Sequence, residues 1–145
     1  MTRETVRIFA IVSVIVLIQS SCASEEANYG AIAVKELVRS SKSWDGNLLA
    51  PYPQGQPEIT IRRISIPAGA RPETHSHPVI NAGVLVSGQL TVKTTDGKVL
   101  RLKAGDPIVE VVNTLHYGIN EGTVPAEIVV FYAGIVGQAV TVSEQ

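Results

Sequence analysis

The sequence contains very little cysteine. Cys22 is the single cysteine among 145 residues, so no disulfide can form within the chain. A folded domain must therefore be stabilised by an apolar core. A chain of this length is sufficient for one domain of ordinary size.

An excess of charge of either sign is also missing. The chain has 12 basic and 13 acidic residues, which gives a formal net charge of −1. Domains that bind nucleic acid, and proteins held on membranes by charged patches, usually carry a clear basic excess. We therefore expect no nucleic-acid partner and no electrostatic membrane contact.

A long apolar run occurs only near the N-terminus, from Ile8 to Ile18. A basic segment precedes it and small residues follow it, which is typical of a secretory signal peptide. The run is short of the roughly 20 residues that a membrane span needs, although an uncleaved anchor is the alternative. We assign residues 1–21 to a signal peptide, 22–33 to a tether and 34–145 to the folded domain, and we expect an exported protein.

Two cleavage points are open at the end of this leader. Cys22 stands where bacterial lipoproteins carry their lipidated cysteine, and the segment resembles one, but Gln19 occupies a position where an aliphatic residue is usual. Cleavage after Ser21 would leave Cys22 for lipidation, and cleavage after Ala23 would remove it. The expected location is therefore periplasmic or membrane-anchored, with membrane contact only through the leader or a lipid.

The rest of the chain predicts short strands separated by turns. Asp96-Gly97 between two alternating runs predicts a hairpin with a type I′ turn. Within Ile59–Ile66 the apolar parity reverses, which predicts a bulge near Arg62-Arg63. Ala31–Arg39 has helical propensity, with a strand as the alternative. Many short strands at this spacing predict an all-β sandwich or barrel.

Histidine is scarce, and its placement is informative. The chain has only three histidines, at positions 75, 77 and 116. A strand places residues i and i+2 on one face, so His75 and His77 can point into the same cavity. His116 can join them through a later strand. Imidazole is the commonest side-chain ligand of transition metals, so the three together predict one metal site.

Two spaced motifs surround these histidines. The first is Gly69-x5-His75-x-His77-x3-Asn81-x6-Gly88, and the second is Gly105-x5-Val111-x-Asn113-x2-His116-x3-Asn120. They resemble the two motifs of the cupin superfamily, G-x5-H-x-H-x3,4-E-x6-G and G-x5-P-x-G-x2-H-x3-N. The resemblance covers roughly residues 59–133. It implies a double-stranded β-helix, or jelly roll, with a metal or ligand pocket inside the barrel.

The departures from the family pattern bear on the metal. Asn81 stands where the metal-binding glutamate of the family would be, and it offers a neutral oxygen. A nitrogen-rich site favours zinc, copper or nickel, although three-histidine iron sites also occur among cupins. We therefore expect a divalent transition metal from the set zinc, iron, nickel, copper and manganese.

Several other side chains are candidates for the pocket. Glu73 shares the strand parity of His75, and its carboxylate is a candidate metal or pocket group, with a solvated loop residue as the alternative. Tyr132 is a candidate phenol donor, with packing in the β core as the alternative. Further candidate pocket residues are Tyr117, Glu110 and Arg71, and Trp44 is expected to pack at the end of the barrel.

Two function classes are consistent with this inventory, and the sequence assigns no catalytic residue. The first is an exported metal-dependent cupin enzyme of the oxygenase, decarboxylase or isomerase type, acting on a small molecule. The alternative is a non-catalytic cupin that binds a metal or a small ligand. A homodimer is also a candidate, with the apolar segment Ile128–Phe131 as its interface.

Overall fold

The computed structural model describes residues 32–144, most of which belong to the compact unit Val34–Gln145. The predicted signal peptide and Cys22 lie outside the described residues. Within residues 32–144 there is no helix, and hence none long and apolar enough to cross a membrane. The same residues contain nine strands, which form two antiparallel sheets.

Strands that follow one another in the chain mostly belong to different sheets. One sheet consists, in spatial order, of β1 (Pro57–Ile66), β8 (Ala126–Ile135), β3 (Ile80–Ser87) and β6 (Pro107–Val109). The other consists of β5 (Val99–Lys103), β4 (Gln89–Thr94), β7 (His116–Ile119), β2 (His75–Ser76) and β9 (Val142–Ser143). Consecutive strands thus repeatedly leave one sheet for the other, as in a double-stranded β-helix. The predicted all-β jelly-roll fold is confirmed.

The apolar core combines buried side chains from strands of both sheets. Strand β8 shows the pattern most clearly, because Ala126, Ile128, Val130 and Tyr132 are buried while Phe131 is exposed. Leu85 is completely buried in β3, and Leu90 is buried in β4. Full burial of one such aliphatic side chain contributes about 1.5–3 kcal/mol to stability. This core accounts for stability without a disulfide.

The predicted bulge near Arg62-Arg63 is wrong. Strand β1 pairs with β8 in unbroken register, from Pro57 opposite Ile135 to Ile66 opposite Ala126. The apolar parity reverses because Ile59 and Ile61 lie on the outer face, where they are 51% and 63% exposed. The register shift that does occur lies in β3, between Leu85 and Ser87.

The hairpin at Asp96-Gly97 is confirmed, but its turn is not type I′. Gly97 has a φ of 92°, whereas Asn113 is the one non-glycine residue of the described chain with a positive φ. A type I′ turn needs positive φ at both central residues, so Asp96 does not satisfy it. The loop is instead closed by hydrogen bonds from Thr94 N to Lys98 O and from Gly97 N to Thr94 O.

Neither the helix nor the alternative strand predicted for Ala31–Arg39 forms over residues 32–39, the described part of that segment. Residues 32–40 have no regular secondary structure and are exposed. Further along, the isolated bridge between Lys42 and Leu48 brackets a short loop. Trp44 lies in this loop and packs against the core, as expected from the sequence.

The proposed dimer segment Ile128–Phe131 does not lie on a sheet edge. Strand β8 is paired on both sides, with β1 and with β3. Ile128 and Val130 point into the core, and only Phe131 offers an exposed large side chain. Association through a free edge of this strand is therefore excluded.

Candidate metal centre

The three histidines form one cluster between neighbouring strands. His75 in β2 is directly opposite His116 in β7, and His77 follows immediately after β2. The ring centroids of His75 and His116 are 4.6 Å apart, and those of His75 and His77 are 4.9 Å apart. The centroids of His77 and His116 are 5.0 Å apart. The strand pairing thus brings the three predicted ligands together.

The backbone determines which nitrogen of each ring carries a proton. Each Nδ1 atom lies 2.8 Å from a carbonyl oxygen, that of Glu73 for His75, of Val140 for His77 and of Thr114 for His116. A carbonyl oxygen can only accept a hydrogen bond, so each Nδ1 is the donor. In the neutral imidazole the lone pair is then on Nε2, as in metal-binding histidines oriented by a carbonyl.

The donor set fits a transition metal ion. One ring nitrogen from each histidine lies within 4.8 Å of the other two, close enough to share one ion. Burial lowers the pKa of His75, and it lowers the pKa of His77 to about 4. Both rings are therefore neutral at pH 7, which is the form that binds a metal.

The cluster faces a small cavity of about 220 Å³ inside the barrel. Its walls are mostly aliphatic and come from both sheets: Ile64, Ile66, Leu90, Val92, Ile108, Ile128 and Val130. Its polar lining residues besides the histidines are Arg62, Asn81, Glu110, Tyr132 and Thr141. Sites for drug-sized ligands usually measure about 300–1,000 Å³, so this cavity suits a smaller molecule.

Glu110 brings a carboxylate to the cluster. Its side chain is buried, and its Oε1 atom accepts hydrogen bonds from Trp44 Nε1 at 2.8 Å and from the backbone N of Val111 at 2.9 Å. Its Oε2 atom lies 3.9 Å from Nε2 of His116. Two donors on Oε1 thus orient the carboxylate, with Oε2 toward the histidines.

Of the two other candidate ligands, Asn81 lines the cavity and Glu73 does not. The side chain of Glu73 is exposed and does not line the cavity, and only its backbone carbonyl serves the site, through His75. Asn81 is 2% exposed and lines the cavity, and its Nδ2 donates to the carbonyl of Val79. The carboxylate near the cluster is therefore that of Glu110.

Tyr132 lies beside the cluster. Its ring is buried, with the centroid 5.4 Å from that of His77 in an edge-on arrangement. Burial raises the pKa of Tyr132, so the phenol keeps its proton at neutral pH. Arg71 and Tyr117, by contrast, do not line the cavity; the Arg71 guanidinium lies 3.8 Å from the Tyr117 ring centroid.

Sequence reasoning missed Arg62 and the C-terminal residues of the site. Arg62 shares the parity of Ile64 and Ile66, which also line the cavity, so strand alternation could have identified it. The Val140 carbonyl and Thr141 come from a segment 63 or more residues after His77. Nothing in the local sequence pattern indicated that contact.

Comparison with known proteins agrees with this architecture. Residues 62–132 match the family model for the cupin domain. Among curated proteins, no sequence relative was found. A double-stranded β-helix protein from Klebsiella pneumoniae is 23% identical with a TM-score of 0.50, over 66% of this chain and 90% of that one.

Two enzymes of known structure share the fold. A DMSP lyase from Ruegeria pomeroyi is 20% identical with a TM-score of 0.52, over 59% of this chain and 42% of that one. An oxalate decarboxylase from Lactobacillus farciminis is 22% identical with a TM-score of 0.51, over 59% of this chain and 26% of that one. The chain thus spans less than half the length of either enzyme, and the likeness concerns the fold.

Proposed function

Since the chain belongs to the cupin superfamily, we propose that it is a metal-dependent cupin that acts on a small organic molecule. His75, His77 and His116 would hold a divalent transition ion in the barrel. The observation that carries this proposal is that all three Nδ1 atoms face carbonyl oxygens, which leaves three Nε2 lone pairs for a metal.

A bound ion would supply Lewis-acid chemistry, because three protein ligands leave further coordination positions for a substrate. The chain's own groups would handle protons. Glu110 presents a carboxylate oxygen 3.9 Å from Nε2 of His116, and Tyr132 presents a protonated phenol. The three neutral nitrogen donors favour zinc, copper or nickel, and iron with three histidines is the remaining strong candidate.

One observation favours the second candidate, a non-catalytic binding protein. Within residues 32–144, Glu110 is the only carboxylate that lines the cavity, and its Oε1 atom is already engaged by Trp44 and Val111. A site for acid–base catalysis usually pairs a base with a separate acid of matched pKa. In the part of the chain that the structure describes, Tyr132 is the only other acid–base group that lines the cavity besides the histidines.

The test is to purify the protein and measure metal by mass spectrometry in wild type and in His75→Ala, His77→Ala and His116→Ala. We expect about one ion per chain in wild type and below about a tenth in each variant. Tyr117→Phe is the control, because Tyr117 does not line the cavity. Unchanged metal content in any histidine variant would refute the shared site.

The same preparations discriminate the two functions. Bound iron together with oxygen consumption in the presence of a small organic acid, aldehyde or sugar would support an oxygenase. Turnover without oxygen would support a decarboxylase or isomerase. Tightly held metal with no turnover in either condition would support the binding protein.

We also propose that the chain is exported, on the basis of its leader-like N-terminus. Intact mass of the mature protein tests this proposal, because cleavage before Cys22 adds a lipid and cleavage after Ala23 does not. A Cys22→Ala variant would lose membrane association in the first case alone. A mature protein that still begins at Met1 would contradict cleavage.

We also propose that the chain forms a homodimer. The interface would be the outer face of the sheet that contains β1 and β8, rather than an edge of β8. Ile61 is opposite Phe131 on that face, and the two side chains are 63% and 45% exposed. Burial of such apolar surface is the usual basis of a homodimer interface. Light scattering on wild type and Phe131→Asp tests it, and a monomeric wild type would refute it.

A further inference from the structure

Two consecutive arginines of β1 have opposite environments. Arg63 lies on the outer face and forms an ion pair with Glu127, with its Nη1 3.1 Å from Oε2. Arg62 pairs with Val130 through the β1–β8 ladder and lines the cavity, but its side chain forms no hydrogen bond and no ion pair with residues 32–144. Because Arg62 is also solvent-exposed, it lies at the opening of the cavity.

The Arg62 guanidinium is close to the histidine cluster. Its central carbon lies 5.5 Å from the ring centroid of Tyr132, whose ring lies 5.4 Å from that of His77. The Tyr132 ring thus lies near both the guanidinium and His77, one of the candidate metal ligands. The lining of one cavity thus includes both a guanidinium and the three imidazoles.

No carboxylate of residues 32–144 forms an ion pair with this cation. Glu110 supplies the one carboxylate that the described residues bring to the cavity, and that side chain contacts Trp44, Val111 and the His116 ring. Imidazole is a neutral ligand when it binds a metal, so a divalent ion would add further positive charge. A guanidinium at the opening and an ion within would together attract a small anion.

We infer that Arg62 binds the carboxylate of a small organic acid whose other end reaches the three-histidine site. The inference rests on the proposed metal site and names its substrate class. The planar guanidinium presents paired donors that match a carboxylate. The aliphatic walls suit the hydrocarbon part of such an acid, and the volume of about 220 Å³ limits it to a small one.

Titration calorimetry of the zinc-loaded protein tests the inference. The probes are short-chain monocarboxylates and dicarboxylates from acetate to adipate, each compared with its neutral amide. The variants are Arg62→Gln, which removes the charge, Arg62→Lys, which keeps the charge without the planar fork, and Arg63→Gln as the matched control. Metal content is measured on every sample.

We expect at least one acid to bind wild type and Arg63→Gln equally. Arg62→Gln should weaken that acid about tenfold or more at unchanged metal content, and Arg62→Lys should lie between them. The amides should show no dependence on residue 62. Equal binding by Arg62→Gln and wild type, an equal loss in Arg63→Gln, or no binding of any acid would overturn the inference.

The same titration on metal-free protein separates the two proposals. Loss of acid binding in Arg62→Gln without metal would support the arginine site even if wild type proved to hold no ion. Stoichiometric metal together with acid affinity that ignores residue 62 would support the metal site and overturn the arginine inference.

Discussion

The Oε2 atom of Glu110 lies 3.9 Å from the Nε2 atom of His116. A carboxylate therefore stands beside the histidine cluster although Asn81 occupies the position of the family's glutamate. The two hydrogen bonds to Oε1, from Trp44 and Val111, keep Oε2 directed at the cluster. This arrangement places one carboxylate charge beside the histidines, and it comes from the residue directly after β6.

Glu110→Gln should weaken metal binding about 10–100-fold, because it removes that charge from beside His116. Trp44→Phe should have a smaller effect in the same direction, since it keeps the charge but loses the 2.8 Å hydrogen bond that orients it. Zinc competition titrations measure both. Glu127→Gln, on the outer face, is the control, and wild-type affinity in Glu110→Gln would contradict the role.

The metal-free protein should lose stability as the pH falls from about 6.5 toward about 4. Burial lowers the folded-state pKa of His75 and of His77, the latter to about 4 from an ordinary value of 6.5. The unfolded chain then binds more protons in this range, so stability is fully present above pH 6.5 and is lost on acidification. The lowered pKa of His77 alone accounts for up to about 3 kcal/mol of this loss of folding free energy.

Urea denaturation in the presence of a chelator checks this dependence across the range. The midpoint urea concentration should fall continuously between about pH 6.5 and about pH 4. A His77→Gln variant should show a flatter profile. A wild-type midpoint that stays constant or rises on acidification would refute the assignment.

Gly88→Ala should destabilise the fold far more than Gly97→Ala. Gly88 has a φ of 74° between β3 and β4, where the chain passes from one sheet to the other, and a Cβ there would lie 2.7 Å from Pro125 O. Gly97 has a φ of 92°, and a Cβ at that position would meet no atom within 4 Å. We expect about 1 kcal/mol for Gly97→Ala and about 3 kcal/mol or more for Gly88→Ala, measured by urea denaturation. Equal losses would contradict the steric argument.

Asn120→Ala should lower stability by about 3 kcal/mol without changing the metal ligands. Asn120 is completely buried, and its Nδ2 donates to Ile66 O at 2.9 Å and to Val124 O at 2.8 Å. Its Oδ1 accepts from the backbone N of Gly122. Asn120→Asp keeps the acceptor and should also be destabilised, because it loses the two donated bonds. Thermal denaturation checks both variants. A wild-type melting temperature in Asn120→Ala would refute the stabilising role of these hydrogen bonds.

Much of the site was predictable because it depends on local periodicity. His75 and His77 are two residues apart, and alternation along an extended chain places such residues on one face whatever surrounds them. The Asp96-Gly97 hairpin likewise follows from two alternating runs and a flexible turn. Its turn type did not follow, because the closing hydrogen bonds of Thr94 depend on the loop's own geometry.

The sequence by itself determined the β class, the absence of a disulfide and the identity of the three candidate ligands. The tertiary structure alone decided that Glu110 rather than Glu73 approaches the cluster, and that Arg62 lines the cavity with no ion-pair or side-chain hydrogen-bond partner among residues 32–144. It also decided that the Val140 carbonyl orients His77. Periodicity specifies the face of a strand, whereas these contacts join residues far apart in the chain, and only the pairing register of distant strands brings them together.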